Sequence, residues 1–112
     1  MKYNIEKTEN ISILKIEGKI NAGNAEVLKD IVKNLLEKKE KSIIFDFSEV
    51  DFIDSSGLGS LVGCLRNVKR EGGDIKIFGL IEKVRLIFEL IRLNQLFDIF
   101  QSREEALNSF KL

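Results

Sequence analysis

Two adjacent serines, Ser55 and Ser56, are the side chains in this sequence that are best placed to do chemistry. They lie between Asp54 and two glycines, Gly57 and Gly59. A strand-like apolar run precedes them and an apolar stripe with helical spacing follows, which places both hydroxyls where a strand passes into a helix. The first turn of a helix has unpaired N–H groups and a dipole that tolerates an added phosphate. The residues therefore suit a phosphoacceptor, although a plain N-cap at Ser55 or Ser56 is the commoner use of such a serine.

Other chemistries find less support in the sequence. There is no histidine, which excludes Ser–His and Cys–His pairs and every His-bearing metal site. A small hydrolase using either serine would lack a base, and neither phosphate-binding pattern, G-x-x-x-x-G-K-[ST] or G-x-G-x-x-G, occurs. We therefore expect no catalytic residue, no metal and no cofactor.

Four acidic residues surround the same strand end, where sites form in open parallel sheets. They are Asp46, Glu49, Asp51 and Asp54. One interpretation makes them metal ligands or paired acid–base carboxylates. Solvated turn residues are the favoured interpretation, because no second acidic cluster with metal-ligand spacing accompanies them.

The composition indicates a single domain over residues 1–112. The 18 basic and 18 acidic side chains cancel, so no broad field attracts the chain to nucleic acid or anionic lipid. The single cysteine, Cys64, lies in a helical pattern and is predicted to be a buried, inert thiol. There is neither a signal peptide nor an apolar run of transmembrane length, and the expected location is the cytoplasm.

The elements that must position the serines follow from the hydrophobic pattern. Strands are predicted over residues 1–7, 11–18, 42–47 and 74–78, with a possible short strand over 96–100. Helices are predicted over 25–39, from the serines to 70, and over 81–93 and 103–110. Asn21 or Asn24 is the expected N-cap of the first helix, and Ser102 with Glu105 forms a capping box before the last.

This order predicts an α/β fold with a mixed, mainly parallel sheet of four to five strands, about four helices and an N-terminal β-hairpin. The third helix is apolar on more than one face. It is either deeply packed or partly covered by the C-terminal helix, or it carries an exposed patch for a partner or a dimer.

The string Asp51-Phe52-Ile53-Asp54-Ser55-Ser56-Gly57-Leu58-Gly59 resembles the phosphorylation-site motif of the anti-sigma factor antagonists. These are the stand-alone bacterial members of the STAS domain family. The resemblance continues through residues 72–77, 84–90 and 96–97, and so covers nearly the whole chain. It implies a single STAS-like domain in which Ser55 is the phosphoacceptor.

The resemblance also implies a non-enzymatic function. In the family, the unmodified antagonist binds an anti-sigma factor that is also a serine kinase, and this releases the sigma factor for transcription. Phosphorylation by the kinase separates the pair, and a serine phosphatase resets the switch. The implied chain is a monomer or weak dimer that contacts neither nucleic acid nor membrane. The implied partner-binding residues are Lys19, Asn21, Asp54, Ser55, Ser56, Gly57 and Leu58. The alternative is a STAS scaffold that is never phosphorylated.

One loop departs from the family pattern. The family commonly has Gly-Glu-apolar-Asp after the second strand, whereas this chain has Gly18-Lys19-Ile20-Asn21. The change replaces an acid by a lysine and an aspartate by an asparagine beside the implied partner surface. We therefore expect Lys19 to help to choose the partner.

Overall fold

The strands lie side by side in the order in which they occur in the chain. The computed structural model describes residues 1–111, and its sheet has the order β1-β2-β3-β4-β5. The strands are β1 (Lys2–Thr8), β2 (Ile11–Ile20), β3 (Ser42–Ile53), β4 (Asp74–Phe78) and β5 (Asp98–Phe100). The α-helices are α1 (Ala25–Glu37), α2 (Ser55–Arg70), α3 (Glu82–Leu90) and α4 (Arg103–Asn108), and a 3₁₀ turn spans Leu93–Gln95.

The sheet is mixed, as predicted. β1 and β2 form an antiparallel hairpin in which Lys2 lies opposite Glu17 and Thr8 opposite Ile11. The pairs β2–β3, β3–β4 and β4–β5 are all parallel. Parallel neighbours need a crossover connection, and α1, α2 and α3 supply the three crossovers.

Two apolar clusters cover opposite faces of the sheet. Alternate residues of a strand point to opposite faces, and β3 shows this directly. Phe45 belongs to the larger cluster, which includes buried residues of α1, α2 and α3, whereas Ile44 belongs to the smaller one, which α4 covers through Ala106. The helix α2 therefore packs on the face of the sheet that carries the larger cluster, and it starts at the end of the central strand β3.

Several predicted boundaries are wrong. β2 ends at Ile20 rather than Gly18, and β5 begins at Asp98 rather than at residue 96. β3 continues beyond Phe47 to Ile53, because its last residues still pair with β2 after pairing with β4 has ended at Asp46. α3 ends at Leu90, and the chain adopts a left-handed conformation at Arg92 (φ 62°) before the 3₁₀ turn. α4 ends at Asn108 rather than Phe110.

The helix ends agree in part with the sequence. The predicted capping box is present, because the Ser102 hydroxyl accepts from the Glu105 N–H and the Glu105 carboxylate accepts from the Ser102 N–H.

No helix within residues 1–111 combines the length and apolar character needed to cross a bilayer.

Candidate functional site

Asp54, and neither serine, is the N-cap of α2. Its backbone is extended (φ −102°, ψ −177°), and its Oδ1 accepts a hydrogen bond from the Gly57 N–H at 2.8 Å. The prediction that Ser55 or Ser56 forms the cap is therefore wrong. Both serines are the first residues of the helix itself, and both are exposed.

The second carboxylate oxygen of Asp54 binds a different segment. Oδ2 accepts from the Ala22 N–H at 3.1 Å, and the Asp54 N–H donates to the Ile20 carbonyl oxygen at 3.1 Å. One aspartate thus joins the start of α2 to the loop between β2 and α1. These bonds fix the Asp54 carboxylate directly beside the Ser55 position.

Asn21 and Asn24 shape that loop. Asn24 Oδ1 accepts from the Asn21 N–H at 2.9 Å, and Asn24 Nδ2 donates to the Lys19 carbonyl oxygen at 2.8 Å. Asn21 Oδ1 accepts from the Gly23 N–H at 2.9 Å. Asn24 is the N-cap residue of α1, which confirms one of the two predicted candidates, but its side chain binds the loop behind it and makes no capping hydrogen bond to the helix.

Gly57 allows the backbone of α2 to approach β2 and β3 closely. A Cβ atom at this position would lie 2.6 Å from the Ile20 carbonyl oxygen and 2.8 Å from Cγ1 of Ile53. Gly57 is buried and Leu58 is half-buried against the larger apolar cluster. Of the implied partner-binding set, these two therefore lie behind the exposed serines and hold them in place.

An exposed aromatic ring lies on the edge of the same site. Phe52 is 40% exposed although it is a large apolar side chain, and it pairs with Lys19 across β2 and β3. The Lys19 ammonium lies 5.8 Å from the ring centroid, within the range of a cation–π contact. The sequence placed Phe52 in the motif without a binding role. The sequence feature that could have indicated its exposure is an aromatic residue that stands among polar residues after the apolar run of the strand has ended.

Two of the four acidic residues near the strand end, Asp46 and Asp54, are used in local structure, and Glu49 and Asp51 are exposed. Asp46 Oδ1 accepts from both the N–H and the hydroxyl of Ser48, at 2.9 and 2.7 Å. Asp54 is occupied as described above. Across the described part of the chain, no three cysteine or acidic side chains are grouped so as to hold a metal ion.

Two further predictions concern the helices. Cys64 is buried in α2, as predicted, and burial raises the pKa of its thiol to about 12. The third helix buries Val84 and Phe88, and Ile87 is half-buried against the larger cluster, so the deeply packed interpretation holds for one face of the helix only. The exposed apolar side chains on α3 and after it are Leu86, Leu90, Ile91 and Leu96.

Comparison with known proteins gives a consistent result. The family model of the STAS domain matches residues 2–106. The anti-sigma-B factor antagonist of Bacillus subtilis is 31% identical over 100 residues, which cover 89% of this chain and 91% of that protein. The crystal structure of a candidate anti-sigma factor antagonist from Thermotoga maritima has a TM-score of 0.93 at 25% identity, covering 98% of this chain and 95% of that one.

A third relative has been solved in two forms. It is the anti-sigma factor antagonist SpoIIAA, a cell fate determinant of Bacillus. Its unphosphorylated form has a TM-score of 0.74 at 18% identity, covering 96% of each chain. Its phosphorylated form has a TM-score of 0.75 at 20% identity, covering 98% of this chain and all of that one. At these identities the likeness is one of fold.

Proposed function

Because this chain belongs to the STAS domain family, we propose that it is an anti-sigma factor antagonist controlled by phosphorylation of Ser55. The observation that carries the proposal is the placement of an exposed Ser55 hydroxyl in the first turn of α2, next to the fixed carboxylate of Asp54. The relatives that are named anti-sigma factor antagonists support the general role. The role is regulatory and requires no catalytic residue in this chain.

The proposed switch is local and electrostatic. A phosphate on Ser55 would add about −1.5 to −2 charges at neutral pH. The N-terminus of α2 stabilises this charge in the free protein, since helix N-termini favour anions. A partner would have to desolvate the phosphate together with the Asp54 carboxylate. The carboxylate cannot turn away, because it is held by hydrogen bonds from the Gly57 and Ala22 N–H groups. The complex is therefore weakened without a change of fold.

The proposed partner surface consists of exposed residues around Ser55. It includes Lys19, Ser55 and Ser56 of the set implied by the sequence, and Ala22 and Phe52 join it in the structure. Asp54 is half-buried and its carboxylate lies at this surface, whereas Asn21, Gly57 and Leu58 support the surface from beneath. Aromatic side chains often carry much of the binding energy of an interface, and we assign such a role to the exposed ring of Phe52.

The proposed partners are an anti-sigma factor that is also a serine kinase, and a serine phosphatase. Binding of the unphosphorylated chain to the kinase would release a sigma factor and so regulate transcription. Phosphorylation would end the binding, and dephosphorylation would restore it.

The first test is phosphorylation in vitro. The chain is incubated with ATP and the anti-sigma-type kinases of its source organism, and the products are read by intact mass and fragment analysis. We expect one phosphate on Ser55 in the unmodified chain and in Ser56→Ala, and none in Ser55→Ala. The proposal fails if kinases that are active on a known substrate leave Ser55 unmodified.

The second test is affinity for the kinase that modifies the chain. We expect Ser55→Asp to bind at least about tenfold more weakly than Ser55→Ala, because it places a second carboxylate beside Asp54. Equal affinity would contradict the switch and favour a scaffold. Lys19→Glu should also change the affinity, whereas Lys83→Glu on the exposed side of α3 is the matched control.

A further inference from the structure

The outer edge of β1 is long and open. All seven residues from Lys2 to Thr8 pair with β2, and within residues 1–111 no strand lies on the other side of β1. The opposite edge strand, β5, has only three residues. An open edge presents unpaired N–H and C=O groups, and proteins usually guard it with proline, bulges, shortness or charge. The chain contains no proline, and the β1–β2 register runs without a bulge.

The charges on β1 do not guard this edge, because each has a partner within the chain. The Nζ atom of Lys2 lies 3.6 Å from Oε1 of Glu17, and the Nζ atom of Lys7 lies 2.8 Å from Oε1 of Glu40. Glu6 forms an ion pair with Arg103 of α4, and Arg103 lowers the Glu6 pKa. The three pairs sum to zero charge, so a second strand approaching β1 meets no net repulsion.

Two large apolar side chains are left exposed on this strand. Tyr3 is 42% exposed and Ile5 is 45% exposed. They pair with Ile16 and Leu14, which are buried in the larger apolar cluster, so both lie on the face of the sheet that α1, α2 and α3 cover. The cover ends before it reaches β1, and a neighbouring strand would bury both side chains.

We propose that β1 pairs with β1 of a second copy of this chain, antiparallel and in a register centred on Asn4. The sequence of the strand is complementary to itself in this register. Lys2 then lies opposite Glu6 of the second copy, and Tyr3 lies opposite Ile5. Two-fold symmetry repeats both pairs, and opposite charges or apolar groups directly across a strand pair are stabilising.

The neighbouring symmetric register does not offer these contacts. Centred on Ile5, it would set Lys2 opposite Thr8 and Tyr3 opposite Lys7, with no cross-strand ion pair. The register centred on Asn4 also joins the existing pairs Lys2–Glu17 and Glu6–Arg103 across the interface. The charges then alternate along a row of Glu17 and Lys2 from one copy and Glu6 and Arg103 from the other. The result is a continuous sheet of ten strands, five from each copy.

The interface is small and independent of the phosphoacceptor. It consists of one strand from each copy, which indicates a weak, concentration-dependent dimer. β2 separates this edge from β3, the strand that leads to Ser55. The inference therefore stands or falls separately from the proposed function.

The test is sedimentation equilibrium of the full chain and of charge-reversed variants. The weight-average mass should rise from 12.8 kDa toward twice that value as the concentration rises from roughly 10 µM to roughly 1 mM. Lys2→Glu and Glu6→Lys should each weaken the dimer about tenfold, because each turns both cross-strand ion pairs into like-charge pairs. Circular dichroism confirms that each variant is folded, and Lys83→Glu is the control that leaves association unchanged.

Mixing the two variants tests the register itself. In the mixed dimer, both contacts between positions 2 and 6 again join a glutamate to a lysine. An equimolar mixture should therefore recover the association that each variant loses alone. If the unmodified chain stays at 12.8 kDa up to about 1 mM, or the mixture fails to recover, the proposal is overturned.

Disulfide trapping gives a second readout. Asn4→Cys places two thiols on the two-fold axis, close enough for a disulfide across adjacent strands. The buried Cys64 does not compete. Mild oxidation should yield covalent dimers of Asn4→Cys and none of Glu82→Cys, which is exposed on α3. Equal yields from the two variants would count against the interface.

Discussion

Adding one methyl group at Gly57 tests the way in which the start of α2 is held. The Cβ of alanine would lie 2.6 Å from the Ile20 carbonyl oxygen, 2.8 Å from Ile53 Cγ1 and 3.0 Å from Ile20 Cγ2. The nearest of these is a backbone atom of β2, which cannot rotate away as the end of a flexible side chain can. The helix must therefore move away from the sheet, and the Asp54 bonds to Gly57 and Ala22 must lengthen.

Two opposing terms set the size of the effect. Overpacking of this kind costs about 1–3 kcal/mol, whereas replacing glycine by alanine in a helix returns about 0.5–1 kcal/mol. The free energy of unfolding should fall by about 1–2 kcal/mol, and Tm should fall by roughly 5–10 °C. Gly59 provides the matched control, because a Cβ there meets nothing within 4 Å.

The assay is urea and thermal unfolding of both variants, followed by circular dichroism. We expect Gly57→Ala to be less stable than the unmodified chain and Gly59→Ala to be more stable by about 0.5–1 kcal/mol. If both alanines stabilise the protein equally, α2 does not depend on the close approach at Gly57. The kinase test on Gly57→Ala should also show slower phosphorylation, since the Ser55 turn is displaced.

Two further predictions concern Asp54 and Cys64. Asp54→Ala should lower the free energy of unfolding in urea by about 1–2 kcal/mol, because it removes the cap. Asp54→Asn should cost less because it keeps an acceptor, and equal losses would contradict the capping role. Cys64, whose pKa burial raises from 9.0 to about 12, should resist thiol reagents at pH 8 in the folded protein and react once it is unfolded. Because the pKa of the thiol is higher in the folded than in the unfolded protein, the stability that the protonated thiol contributes should be present below about pH 9 and be lost toward pH 12. Rapid labelling of the native thiol at pH 8 would contradict its protection by burial.

The periodic segments of the fold were predictable from the sequence. In α1, apolar residues recur at helical spacing, and Leu28 and Val32 are indeed buried. The extension of β3 was not predictable from its own residues, because Ser48, Glu49 and Asp51 have the composition of a turn. The strand continues through them because Glu49 pairs with Glu17 of β2, and the pairing with β2 resumes at Phe52 and Ile53. The end of α3 was equally hidden, since apolar residues continue past Leu90 while the backbone turns at Arg92.

At the candidate site, the sequence pointed to the segment around Ser55 but did not show which hydrogen bonds its residues make. A serine and an aspartate are both good N-caps, so residue type alone does not distinguish Asp54 from Ser55. Asp54 is favoured as the cap because its second carboxylate oxygen accepts a hydrogen bond from the Ala22 N–H, 32 positions earlier in the chain. The exposure of Phe52 was hidden as well, because its residue type is that of a core side chain and only the fold shows that 40% of it is uncovered.

The order of the strands has a consequence for how the protein folds during its synthesis. Each strand from β2 to β5 pairs with the strand made immediately before it. No strand has to be inserted between two that have already paired, so the sheet can grow at one edge as the chain leaves the ribosome. Within residues 1–111 the first edge formed, β1, is not covered by later strands, whereas the edges of β2, β3 and β4 are each closed by the next strand to emerge. Short separations between pairing partners also favour rapid folding, and the segment that carries Ser55 is completed only when β2 is already present to receive it.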